Sequence, residues 1–383
     1  MSRPAIVRRL RGKVSPGFRF SRPLVLLQSD DWGRVGVRDA EGREELRAAG
    51  WNLGERPYDL YSLETAEDVH ELAEVLQSVR DSTGQPPCLG MNFMIANVDF
   101  PASAATGFRE IALKPLAEGL PGRWTRPGLY DAYREGIKAG VFSPAVHGAT
   151  HFCHQAVVHA LTREGERREL LRTLWKSETP YVHWRMPWVG YEFWDPENPP
   201  AERFIPDAEQ QHWIGWAAEC FQKFFGEGAV SACAPGYRAG ATTHRLWKAQ
   251  GVRVAQNGPG VMRAPYFDEY GLLHTYRSLD FEPALHPELR LEDCVKNAGG
   301  WLARGLPLIV SVHSINFHST LASFRQKTLP MLREFLGALK KRFPDLVYVN
   351  DRQLLEIVET GSYESGGGRI PVAVTGMRKG AEA

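Results

Sequence analysis

The chain has 383 residues, 43% of them hydrophobic and 24% charged, with a formal net charge of +1. That length allows one large α/β domain or two ordinary ones, and the apolar fraction is enough for a sizeable core. Near-neutrality gives no global field for nucleic acid or an acidic membrane, and no apolar run is long enough to span a bilayer.

Residues 1–23 are basic through Arg3, Arg8, Arg9, Arg11, Lys13, Arg19 and Arg22, with no signal-type apolar segment behind them, and read as a solvated lead-in. The apolar run 24–27 then reads as a buried strand and leads into Asp30-Asp31-Trp32. Val69, Leu72, Leu76 and Val79 recur at helical spacing behind a Thr65-x-x-Asp68 capping box, and Gly84 with Pro86-Pro87 separates that helix from the run 88–95. A helix over 130–138, closed by Gly140, delivers a strand over 142–146 that ends in His147-Gly148-Ala149-Thr150-His151.

The segment 175–216 breaks the rhythm by setting Trp175, Trp184, Trp188, Tyr191, Trp213 and Trp216 among several prolines, and reads as an aromatic-rich insertion. Flat rings such as Trp184 and Trp188 suit either stacking on a sugar face or packing against the body of the protein. Next come a strand over 229–234 running into Pro235-Gly236-Tyr237-Arg238, a strand at 252–255, a helix over 291–304 and a strand over 308–312 ending at His313. A helix over 321–343, a strand at 346–349 and a helix capped by Asp351 complete the body, and residues 362–383 read as a flexible tail.

Alternating strands and helices imply βαβ units, a parallel sheet and a single body over 24–361. In such folds chemistry gathers at the carboxyl ends of the strands, where Asp30, Asp31, His147, His151, Tyr237 and His313 all fall. If a helix starts at His147, His147 and His151 share one of its faces and can aim at one ion, with His154 a geometric alternative. His313 alone would more often be a hydrogen-bonded rim histidine.

At these residues the chain resembles the polysaccharide deacetylase family, also called NodB-homology or carbohydrate esterase family 4, in a divergent branch. The family's aspartate pair is matched by Asp30-Asp31, its histidine pair by His147 and His151, its Pro-aromatic turn by Pro235-Gly236-Tyr237, and its strand-end histidine by His313. The resemblance implies a distorted (β/α) barrel of about seven parallel strands. It also implies Asp30 as general base, Asp31, His147 and His151 as metal ligands, and His313 as general acid. Many members carry an Arg before the Pro that tethers the base; residues 231–234 contain none, and Arg238 is the substitute this sequence offers. Trp32, Pro235, Trp184 and Trp188 are the expected substrate contacts.

The chemistry agrees with that family. Two imidazoles and a carboxylate leave a divalent cation an open position; zinc comes first, while N and O donors also admit Co, Ni, Mn or Fe. Amide or ester hydrolysis then needs a base for water, an acid for the leaving group and an oxyanion donor, the last expected from a backbone N–H near Gly236-Tyr237. The expected partner is an acetylated saccharide or sugar precursor. A non-haem iron oxygenase shares the two-His, one-carboxylate set, and an inactive carbohydrate-binding member of the fold is the other rival. Five dispersed cysteines without a C-x-x-C point to a cytoplasmic setting.

Overall fold

The structure is a computed structural model that describes residues 16–54, 56–180, 188–193, 203–260 and 262–376. Its centre is a curled parallel sheet built from β1 (Leu24–Trp32), β2 (Leu89–Met94), β3 (Phe142–Gly148), β4 (Ser231–Cys233), β5 (Val254–Asn257), β6 (Leu273–Tyr276), β7 (Leu279–Asp280), β8 (Leu308–His313) and β9 (Val347–Tyr348). Around the sheet the order is β7-β8-β1-β2-β3-β4-β5-β6, with β9 paired to the start of β1. Every one of these pairings is parallel. The fold is therefore the distorted (β/α) barrel expected, with eight strands around it among the described residues rather than about seven.

The two ends of that order are consecutive in sequence. Arg277 N–H bonds the Asn257 carbonyl of β5 (3.1 Å), and the next residue, Ser278, bonds the Ile309 carbonyl of β8 (2.8 Å). One dipeptide thus closes the barrel, and it places Arg277 at the seam.

Strand periodicity sorts the side chains. Leu24 and Leu26 join Val254, Leu273, Ile309 and Val347 in the lower interior, whereas Val25 and Leu27 pack outward against the helical layer. Continuing along the inner face, Gln28 and Asp30 replace the aliphatics, and with them Asn92, Gln256, Arg277 and Ser311 are all buried. An apolar floor therefore supports a polar upper interior. The helix Asp351–Thr360 closes the floor with Leu354, Ile357 and Val358. Asn350, not Asp351, is its N-cap, and Asp351 is itself buried, with its carboxylate on Gln28 (2.8 Å) and Gln256 (2.7 Å).

The chain ends differ from the reading. Arg19–Phe20 pairs with Val374–Thr375, and Ser362–Ser365 forms a hairpin with Gly368–Pro371, so 362–376 is ordered structure and not a loose tail. The reason is apolar: Phe18, Phe20, Tyr363 and Val372 pack into the lower core. The aromatic insertion is also shorter than 175–216. The helix Asp207–Phe225 takes over its last quarter, and Trp175 ends up buried on the helix Glu166–Lys176. Trp184 lies outside the described residues.

Tyr363 is fully buried. We expect Tyr363→Ala to cost about 3–5 kcal/mol of unfolding free energy, the range for emptying an aromatic core position. Denaturant titration checks it, and a change within error would mean that the hairpin is not part of the folded core.

Candidate active site

The adjacent aspartates sit at an irregularity in β1. Ser29 pairs with Met91 and Trp32 with Phe93, so Asp30 and Asp31 together face one residue of β2. Such a bulge breaks strict alternation and re-aims a side chain. Asp31 takes φ 74°, a left-handed value that Asp tolerates better than most residues. A second shift lies between β2 and β3, where Phe93 pairs with Val146 and Met94 with Gly148, leaving His147 as the extra residue. Both irregularities open on the barrel mouth.

There the Nε2 atoms of His147 and His151 stand 3.8 and 3.5 Å from Asp31 Oδ1. The histidines do not share a helix: His147 is the last residue but one of β3, His151 lies in the following loop, and the next helix starts only at His154. Strand end and loop bring them together instead of helical spacing. His154 is turned away, its ring 4.4 Å from that of Trp213.

The donor set fits a cation. His147 Nδ1 lies 2.7 Å from the Cys233 carbonyl, an acceptor, so Nδ1 carries the proton and Nε2 presents a lone pair. Burial pushes the His147 pKa down, against the pull of Asp30 and Asp31, so the ring stays neutral. Asp31 Oδ1 is buried without a hydrogen bond, and the His147 Nε2 that faces it carries no proton to donate. Burial opposes ionisation of Asp31, but Arg34, with NH1 3.1 Å from Oδ1, and His151 hold the carboxyl well below the usual range. A carboxylate oxygen and a lone pair directed at one another call for positive charge between them.

Asp30 is gripped differently. Arg277 NH1 donates to Asp30 Oδ2 at 2.8 Å while NH2 donates to Oδ1 at 2.5 Å, and Asn92 Nδ2 donates to Oδ1 at 2.7 Å. Burial would raise the Asp30 pKa; the Arg277 guanidinium together with His147 and His313 outweighs it and brings it down to about 2. Opposite stands His313, its Nε2 3.8 Å from Asp30 Oδ2 and its Nδ1 2.6 Å from Glu282 Oε1. Desolvation disfavours the imidazolium, but Glu282, then Asp30 and Asp31, raise the His313 pKa to about 9. Asp30, Asp31, His147, His151 and His313 border a cleft of about 90 Å³ that also exposes Arg34, Tyr58, Gly236 and Tyr237.

Several expected roles move. Arg238 is paired with Glu192 and not with Asp30, so the tether is Arg277, from a short polar strand end that no apolar run announces. The Tyr237 N–H is spent on the Ala234 carbonyl (2.8 Å), which removes it as an oxyanion donor; its hydroxyl accepts from Arg277 NH1 (3.0 Å). Trp32 is buried, its ring stacked on Phe317 and its Nε1–H on Ser29, and Trp188 is buried in the core, so neither offers a face to a sugar. Pro235 is buried too, beneath the turn, close to Gly148 and Gly190. Arg34, Tyr58, Asn92, Arg277 and Glu282 are site residues that sequence reading missed; only Asn92, a polar residue inside the run 88–95, carried a local signal.

No family model matches the sequence, and no curated protein matches it. Among solved structures, the chain is similar to a Mycobacterium smegmatis protein described as a polysaccharide deacetylase (13% identity, TM-score 0.46, 91% of this chain and 95% of that one). It is also similar to PuuE allantoinase (12%, 0.46, 88% and 91%). A third likeness is to a Pseudomonas aeruginosa PAO1 protein described as a polysaccharide deacetylase (10%, 0.45, 88% and 90%).

The ion pair yields a contrast between two arginines. Arg277→Met strands a buried carboxylate, and we expect it to cost about 3–5 kcal/mol of stability, as for breaking a buried pair from one side. Arg238→Ala, at a partly exposed pair, should cost about 1 kcal/mol or less. Chemical denaturation of both variants checks the order, and equal effects would remove Arg277 from its assigned place.

Proposed function

We propose that the protein is a divalent-metal-dependent hydrolase that removes an acyl group, most simply acetyl, from the nitrogen or oxygen of a carbohydrate or saccharide precursor. The observation that carries this reading is the pair of oppositely tuned groups across one cleft: a carboxylate held ionised by Arg277 and an imidazole held protonated by Glu282. Pairs pushed apart in this way are suited to general base and general acid. Asp31, His147 and His151 would hold the cation, with zinc the first choice. When bound, it supplies Lewis acidity toward the acyl oxygen and makes water a stronger acid.

Asp30 remains ionised at any working pH and accepts the proton of the attacking water. Asn92 and Arg277 occupy Oδ1 and one side of Oδ2, which fixes how the carboxylate faces the cleft. His313 Nδ1 is engaged with Glu282, so Nε2 is the atom that gives a proton to the departing nitrogen or oxygen. A cleft of about 90 Å³ has room for about three water-sized volumes, enough for an acyl group and a water, so the sugar ring rests outside it. An oxygenase would share the ligand set but has no task for the Asp30–Arg277 and His313–Glu282 pairs. Five free, dispersed cysteines support a reducing, cytoplasmic setting, and no described helix is long and apolar enough to cross a membrane.

Acetate release from a panel of N- and O-acetylated saccharides and nucleotide sugars tests the class; release of oxidised product, or no turnover with metal bound, would sink it. Within the class, Asp31→Ala should lower metal content and activity together. Asp30→Asn should keep the metal, lose turnover by about 100-fold or more, and destabilise the fold, because a neutral amide leaves Arg277 without its counter-charge. Retained turnover in that variant would show that the roles are misassigned.

The acid must be protonated to work, and its pKa is raised, so activity should persist to about pH 9 and fall above it. Glu282→Gln removes the chief raising influence and should move that basic limb down by about one unit or more. An unmoved limb would mean that His313 is not the group being titrated.

A further inference from the structure

We propose that His244, Asp268 and His274 form a second divalent-cation site, outside the barrel and separate from its mouth. His244 lies on the helix Ala241–Ala249, His274 on β6, and Asp268 in the turn between the short strand Tyr266–Phe267 and β6. Leu273 points into the lower interior and Arg277 into the upper one, so His274 faces the other way, toward that helix. One ligand atom from each of the three residues lies within 4.8 Å of the others.

The cluster is held in place before any ion arrives. Asp268 Oδ1 accepts the N–H groups of Tyr270 (3.0 Å) and Leu272 (2.8 Å), which anchors the turn and leaves Oδ2 to the histidines. His274 Nε2 sits 3.0 Å from that Oδ2, and its ring is stacked on Tyr266 at 5.1 Å. The His244 ring meets that of His274 edge to face at 4.7 Å. Its Nε2 is buried and has no hydrogen-bond partner, although buried polar nitrogens are nearly always satisfied.

The chemistry suits a cation of borderline hardness, with two imidazoles, one carboxylate and an open position. Burial lowers the pKa of both rings, that of His274 against the pull of Asp268, which favours the neutral form that can act as a ligand. The proton on His274 Nε2, now given to Asp268, must leave that atom for the ion; the ring stays neutral by taking the proton at Nδ1 instead, with no net release to solvent. Nδ1 of the same ring then carries the proton and needs an acceptor. The Asn257 amide at 3.2 Å supplies one by turning over, at the expense of its bonds to the Ala255 and Thr275 carbonyls. An ion here would clamp the Tyr266–Tyr276 segment to the helix Ala241–Ala249.

The test is a metal count on the full chain, purified without a histidine tag, equilibrated with zinc and freed of loose ions. Wild type should hold two equivalents, His244→Gln one, Asp31→Asn one, and the double variant none. As a second measurement, zinc should raise the melting temperature of Asp31→Asn but not of Asp31→Asn with His244→Gln, which isolates this site from the mouth. A wild-type count of one that Asp31→Asn abolishes and His244→Gln leaves alone overturns the second site and leaves the hydrolase reading standing. A count that falls with His244→Gln and ignores Asp31→Asn does the reverse.

Discussion

The upper half of the barrel is organised by a single buried ion pair, Asp30 with Arg277. Their side chains are 2% and 0% exposed, and taking two charges this far from water is unfavourable unless the geometry is good and every remaining donor and acceptor is used. The two terminal nitrogens of the guanidinium meet that demand with acceptors alone: Asp30, the Ser311 hydroxyl (3.0 Å), the Tyr237 hydroxyl (3.0 Å) and the Gln256 carbonyl (3.3 Å), while Nε is buried with no hydrogen-bond partner. A polar interior at this level follows from the pair. It could not be filled with the aliphatics found two residues lower on each strand.

The same constraint orients the amides. Asp351 at the foot of the polar layer accepts from Gln256 Nε2 (2.7 Å), so the Gln256 oxygen must point up, toward Arg277 and Asn92. Asn92 Nδ2 then donates both to that oxygen (2.8 Å) and to Asp30 (2.7 Å). With a carboxylate at each end of the chain of bonds, there is one consistent sense in which to place the amides between them. Asp30 therefore faces the cleft in one orientation, and that is what a positioned base requires.

How much of this could be read in the sequence depended on whether a residue followed an apolar run. Asp30, Asp31, His147 and His313 do, and each lies at the mouth; the run itself is the signal because a buried parallel strand must be apolar. Arg277 and Glu282 do not. They follow β6 and β7, four and two residues long, whose His274, Thr275 and Asp280 hide the strand pattern. The tether lies about forty residues beyond Pro235, because only closure of the barrel brings the seam dipeptide over Asp30. The C-terminal segment is a related case: composition rich in Gly marks turns as readily as looseness, and Tyr363 and Val372, two well-spaced apolar residues, are enough to dock a hairpin. Local periodicity puts the His147–His151 spacing on a helix, and the bulge at His147 and the loop that returns His151 to it are tertiary features invisible to that periodicity.

Arg277 is also linked to the outer cluster, through Asn257. Its backbone N–H bonds the carbonyl of Asn257, and the side chain of Asn257 reaches His274 on the outer face of the same pair of strands. Asn257 thus holds the seam residue from one side and the outer cluster from the other. Turning its amide over replaces bonds to the Ala255 and Thr275 carbonyls, the latter two residues before Arg277. The backbone that aims the guanidinium at Asp30 is therefore fixed partly by contacts outside the barrel, and His274 belongs to the same short strand. In a seam closed by two adjacent residues there is little other pairing to absorb a shift, so the outer face of β5 and β6 contributes to the placement of the base.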